Sequence, residues 1–232
     1  MNGRPMNEIR CRGLTLLALL TILLGTVGCA GALMTPLYLL KGNEVDPEFK
    51  KEVKALPKES TIVVICRSPY QNLFGSDNPS RTMSLMLTKL MSEKLEKKKF
   101  KWVSIDRVEA LFDESAYANE SYEKMGAKVD ADYVIGVDID SFSTRHSPQY
   151  FQGKAHVNVR LVEVATGKLI MNKSLPQYTY PPNAPWSVND VSQEDFQNIF
   201  LMKLANEVGC LFYPYEKAEK YALDNDVARL RH

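Results

Sequence analysis

Ala131-Asp132-Tyr133-Val134-Ile135-Gly136-Val137-Asp138-Ile139-Asp140-Ser141-Phe142, and after a polar loop the run from Gly153 to Leu175, decide the fold of this chain. Tyr133, Ile135, Val137 and Ile139 alternate with Asp132, Gly136, Asp138 and Asp140. Ala155, Val157, Val159 and Leu161 alternate with Lys154, His156, Asn158 and Arg160. A period of two is the signature of half-buried strands, so one sheet face is expected to be apolar and the other charged. Asp138 and Asp140 are placed to meet His156 and Arg160 as cross-strand pairs. Ala165-Thr166-Gly167-Lys168 supplies a short turn, with Gly167 free to take a positive φ, and a third strand folds straight back.

Upstream, Asp46-Pro47 predicts a short helix over Pro47 to Ala55, closed by Pro57. Thr61 to Cys66 is a continuous β-branched run, apolar on both faces, which predicts a central strand. The segment 67–77 reads as a solvated loop without a Gly-rich phosphate cradle. Asn78-Pro79-Ser80 caps a helix whose stripe runs Met83, Met86, Leu87, Leu90, Met91 and Leu95, ending in Lys97, Lys98 and Lys99. Phe100 to Val103 is a second strand, Asp106 caps a helix with Val108, Leu111 and Phe112, and Tyr122, Met125 and Val129 mark another. Ser192 to Asp195 opens a core helix carrying Phe196, Ile199, Phe200, Leu204, Val208 and Leu211. The class is α/β with α+β character: a mixed sheet of about five strands, three of them in a C-terminal antiparallel meander, flanked by helices.

At 232 residues, 45% hydrophobic and 25% charged, the chain has the composition of ordinary globular material. Its N-terminus is different. Arg4, Arg10 and Arg12 precede an apolar core from Leu14 to Leu24, the layout of an export signal. The run Leu24-Gly25-Thr26-Val27-Gly28-Cys29-Ala30-Gly31 resembles the bacterial lipoprotein box, with Thr26 standing where that pattern usually has Leu. The resemblance implies cleavage before Cys29 and acyl chains on it, which anchor the protein stably to a membrane. Ala30 in place of Asp points within the same pattern to the outer membrane, facing the periplasm. The alternative is an uncleaved anchor, since residues 13–40 carry no charge. Removal of Arg4, Arg10, Arg12 and Glu8 with a leader turns the formal charge from +1 to −1, which gives no electrostatic pull on nucleic acid. The division expected is 1–28 signal peptide, 29–58 lipidated tether with a short helix, 59–213 a single α/β domain, and 214–232 a tail.

Gly126-Ala127-Lys128-Val129-Asp130-Ala131-Asp132-Tyr133-Val134-Ile135-Gly136, followed by Val159 to Ile170 with Thr166-Gly167 in the turn, resembles a periplasmic domain shared by three proteins. These are the curli-secretion lipoprotein, the penicillin-binding-protein activator lipoprotein and the amino-terminal domain of the Tol-system propeller protein. The resemblance spans Thr61 to Phe212. It implies a mixed sheet flanked by helices in an exported domain that holds other proteins, and it carries over no catalytic residue or cofactor.

Cys66 and Cys210 are either a disulfide in an oxidising periplasm or two buried small apolar residues. Pro176 to Trp186 holds four prolines interleaved with Tyr178, Tyr180 and Trp186, which predicts an extended arm rather than a strand. Its aromatics are the candidate partner contacts, the alternative being that they fold back to cover a sheet edge. Three function classes are open. The first is a non-enzymatic, lipid-anchored envelope protein that binds another envelope protein or a peptidoglycan-related component. The second is a subunit of an outer-membrane secretion assembly, for which no long alternating strands remain unassigned. The third is an envelope hydrolase. His146, His156 and His232 lack metal-ligand spacing, no Gly-x-Ser-x-Gly is present, and Asp138 with Asp140 reads as a solvated strand face, so neither a metal nor catalytic residues are assigned.

Overall fold

The computed structural model describes residues 44–68, 78–113 and 120–217. Cys29, the leader, His232 and most of the loop after Arg67 lie outside them. In chain order the elements are β1 (Glu44–Val45), α1 (Lys50–Ala55), β2 (Thr61–Arg67), α2 (Pro79–Lys94), a 3-10 turn (Glu96–Lys98), β3 (Lys101–Trp102), α3 (Ile105–Asp113), α4 (Tyr122–Lys128), β4 (Tyr133–Ser147), β5 (Tyr150–Glu163), β6 (Leu169–Ser174), β7 (Tyr178–Tyr180), β8 (Trp186–Ser187), α5 (Gln193–Gly209) and β9 (Tyr215–Glu216).

The main sheet runs β3-β2-β4-β5-β6, with β2 parallel to β3 and β4, and β5 antiparallel to β4 and β6. A β-branched central strand and a C-terminal meander are therefore both present. The loop expected between the two meander strands is shorter than the polar composition suggested: β4 runs on to Ser147 and β5 begins at Tyr150, so only Pro148 and Gln149 connect them. β5 is too long for β6 to pair along its whole edge. β6 pairs with Asn158 to Val162 only, and β7 and β8 continue along the same edge against Gly153 to Ala155 and Tyr150 to Phe151.

Two apolar cores flank the sheet. On one face Val64, Ile135, Val137, Ile139, Val157, Val159 and Leu161 pack against α1, α2 and α5, with Met83, Leu87, Met91, Phe196, Phe200 and Leu204 fully buried. The Met83/Leu87/Met91 stripe is thus core, and Asn78 caps its helix by accepting the Ser80 N–H, with Pro79 at the first position. The opposite face was expected to be apolar on β2 and charged on β4 and β5, and the apolar part extends further than that. Val63, Ile65, Val134 and Val162 are buried there under α3 and α4 with Val108, Leu111, Tyr122 and Met125. Within the strands, the charged residues of that face begin at Asp138 and Arg160, with Asp132 exposed just before β4.

The boundaries shift slightly. α1 starts at Lys50 instead of Pro47, and Asp106 lies inside the first turn of α3 instead of capping it. Phe49 and Val53 belong to the main core, so the segment before Thr61 packs as part of the domain, as does Tyr215, whose strand pairs with β1. Gly167 takes φ 68° in the turn before β6, as that turn requires.

One glycine sets how α4 docks. A Cβ at Gly136 would overlap the Tyr122 ring, so the bare backbone of β4 is what lets that ring lie flat on the sheet. Gly136→Ala should cost about 1–3 kcal/mol by overpacking. In a urea-denaturation cycle, Gly136→Ala with Tyr122→Ala should cost clearly less than the sum of the single changes; strict additivity would contradict the contact.

Candidate functional site

Where the apolar part of the second face ends, charges take over, and they are ordered by strand register. Arg67 closes β2 opposite Asp138 on the parallel neighbour β4. Its Nε and Nη2 donate to Asp138 Oδ1 at 3.1 and 2.9 Å, and its Nη1 donates to the Glu120 carbonyl at 2.8 Å. The Tyr122 hydroxyl donates to the same carboxylate oxygen at 2.8 Å, and the guanidinium stacks 3.9 Å above the Tyr122 ring centroid. Arg160 reaches the other oxygen, Asp138 Oδ2, at 3.4 Å. Burial and the Asp138 charge hold the Tyr122 phenol well above its ordinary range, with Arg67 pulling the other way. The Arg67 and Asp138 side chains are mostly buried, and the charge-assisted bonds between them offset the desolvation this costs. This network ties α4, β2, β4 and β5 together, with Asp138 Oδ2 held by the Arg160 charge at ion-pair distance and Arg160 Nε buried without a hydrogen bond.

Further along the same face lies a second, exposed set. Asp140 is the extra residue of a β-bulge, so that Asp140 and Ser141 together stand opposite His156. His156 Nδ1 lies 3.1 Å from Asp140 Oδ2, and His156 Nε2 lies 3.2 Å from Ser174 Oγ on β6. A carboxylate only accepts, so Nδ1 carries a proton, and in the neutral ring Nε2 accepts from the serine hydroxyl. The Asp138–Arg160 and Asp140–His156 pairs are the ones strand alternation anticipated. Arg67, Tyr122 and Ser174 were missed: the first two meet Asp138 through a parallel crossover, and a lone exposed serine has no motif.

β6 is an edge strand. Leu175 donates its N–H to the Val157 carbonyl at 3.0 Å, which makes Val157 and Leu175 a hydrogen-bonded pair. By alternation, the N–H and C=O of Asn172 and Ser174 point away from β5. Asn172 and Ser174 are exposed, as is Asp140. Among the described residues no strand pairs with the outer side of β6, so the meander presents a polar face and a free strand edge side by side.

Of the two readings of Tyr178, Tyr180 and Trp186, the structure takes the second, in which they fold back along a sheet edge. Tyr180 and Trp186 are 2% and 9% exposed, and Tyr178 packs against the main core. Tyr178 stacks on Phe200, and Trp186 packs edge-on against both Phe196 and Tyr180. The segment expected to be a free arm forms β7 and β8, because the lower half of β5 needs hydrogen-bond partners that a six-residue β6 does not reach. Gly153 leaves room for the Phe200 ring there. Cys66 and Cys210 are both buried as thiols, and burial pushes Cys66 up to about 12, which leaves it protonated and inert at neutral pH. His146 sits exposed in β4, apart from the Asp140–His156 pair. Among the described residues no group of three or more His, Cys, Asp or Glu side chains is arranged to hold a metal ion, and no helix is long and apolar enough to cross a membrane.

In a double-mutant cycle on Arg67→Met and Asp138→Asn, read by urea denaturation, the pair should show a coupling of about 1–3 kcal/mol, with each single change strongly destabilising. Coupling near zero would mean that the network does not hold the sheet to α4.

No family model matches the chain, and no curated protein matches it in sequence. Solved structures do. The PelC dodecamer from Paraburkholderia phytofirmans matches at 10% identity and a TM-score of 0.39, covering 73% of this chain and 95% of that one. Lipoprotein GNA1162 from Neisseria meningitidis matches at 15% identity and 0.37, covering 66% and 98%. The LpoB C-terminal domain from Salmonella enterica matches at 15% identity and 0.36, covering 56% and 92%.

Proposed function

We propose that the protein is a lipid-anchored component of the bacterial cell envelope that works by binding. In this reading Cys29, freed by cleavage of the leader, carries acyl chains that hold the chain to the outer membrane, and the domain faces the periplasm. Its partner is another envelope protein or a peptidoglycan-related component. The observation that carries the reading is the surface left by the meander: beyond the Asp138 network the second face is polar and solvated, and it adjoins the backbone edge of β6. A sheet edge offers main-chain hydrogen bonds to an extended partner, with Asn172 on β6 itself and Lys154 further along the same face, opposite β7, to supply selectivity. The buried aromatics of β7 and β8 support this surface from behind.

Mass spectrometry of the native protein should find Cys29 N-terminal and acylated, and Cys29→Ser should leave an unacylated precursor. Crosslinking in intact envelopes should capture a component with the wild-type chain that is lost on Lys154→Glu with Asn172→Glu, while acylation and the thermal transition stay unchanged. An intact leader on the native protein contradicts the anchor. Capture that survives the double change contradicts the choice of face.

A further inference from the structure

The exposed set on that face has the connectivity of a nucleophile relay, and neither the binding reading nor the Asp138 network uses it. Three adjacent strands contribute one residue each: Asp140 from β4, His156 from β5 and Ser174 from β6. The atoms are in the order that activates a hydroxyl: carboxylate Oδ2 to Nδ1 at 3.1 Å, and Nε2 to Oγ at 3.2 Å. A serine buried in a strand ladder would have no access to a substrate, but Ser174 is exposed on the edge strand. Its own N–H points outward from the β6 edge, where it can donate to the oxyanion that forms on the substrate's carbonyl oxygen when Oγ attacks; a backbone N–H already bonded in the ladder cannot do that. Asn172 lies two residues away, on the same face and with the same outward backbone.

We propose that Asp140, His156 and Ser174 form a nucleophilic site that reacts with acyl esters presented across the β6 edge. Ser174 Oγ bonds to the ester carbonyl carbon as its proton passes to His156 Nε2. The C–O bond to the leaving alcohol breaks, that alcohol takes the proton, and water then releases the acid by the reverse transfers. Asp140 fixes the tautomer and balances the imidazolium. The His156 and Asp140 side chains are 39% and 53% exposed, so the reacting group is approached from open solvent. The class of substrate is therefore small activated esters, with slow turnover.

The test uses the full chain in detergent with a fluorophosphonate probe. Oγ attacks phosphorus, fluoride leaves and the proton stays on His156, so one phosphonyl group is trapped on the serine. Wild type should label at Ser174, identified by peptide mass, and Ser174→Ala should not label while keeping its thermal transition. His156→Ala should slow labelling by about 10²-fold, and added imidazole should restore part of the rate, a rescue that a merely structural histidine would not give. Asp140→Asn should slow labelling with the thermal transition unchanged. Labelling no faster than that of the heat-denatured chain, or labelling that persists in Ser174→Ala, overturns the proposal and leaves the binding reading untouched.

Discussion

The pairing demand of β5 governs this structure. A fourteen-residue strand in the middle of a sheet has two rows of backbone donors and acceptors, and each group buried without a partner costs about 1–3 kcal/mol. β4 pairs with most of one row, from Tyr150 to Glu163, with register shifts at three places. The other row is shared by three short strands in succession, and the last two come from a proline-rich segment that has little tendency to pair by itself. Proline interrupts that edge into pieces, and the aromatics between the prolines fill the space against α5. Tyr178 on Phe200 and Trp186 on Phe196 are the packing that makes the fragmented edge stable.

The two cores differ in extent, and the difference creates the working surface. Among the described residues α1, α2 and α5 cover one face, whereas α3 and α4 cover β2, the first part of β4 and the end of β5 on the other. At the limit of that cover, Tyr122 from α4 lies over Gly136 and points its hydroxyl at Asp138, so the last helical contact is also the first polar one. Arg67 and Arg160 complete the boundary. Beyond it the bulge at Asp140 and the neighbours His156 and Ser174 sit in water, on strands rigidly held from the other side. A polar group on a rigid strand is better positioned than one on a loop, which is why this face is a suitable place for recognition or for chemistry.

Much of this was legible from local pattern. The alternation in β4 and β5, the Asn78-Pro79 start of α2, its methionine stripe and the Gly167 turn are decided within a few residues, and they take the form expected. So do the Asp138–Arg160 and Asp140–His156 pairs, because hairpin register follows from alternation. What was not legible is non-local. Arg67 and Asp138 are 71 residues apart in sequence, and only the parallel register of β2 with β4 brings them together. The covered half of the second face was hidden because Val63, Ile65 and Val134 say that a neighbour exists without naming α3 and α4. The Pro176 to Trp186 segment was expected to be a free arm because composition reports that proline disfavours pairing, while the need of β5 for partners is set elsewhere in the chain. β1 and β9 are two residues each and leave no periodic signal at all.

Native-state hydrogen exchange, residue by residue, measures the central claim most directly: β5 is paired on both edges and β6 is open on its outer one. The amides of Val157, Val159 and Leu161 should exchange only at the rate of global unfolding, while those of Asn172 and Ser174, which point away from β5, should exchange orders of magnitude faster. If the Ser174 amide is as protected as that of Val159, the β6 edge is covered in the folded protein, and neither a strand-edge contact nor an oxyanion donor remains there.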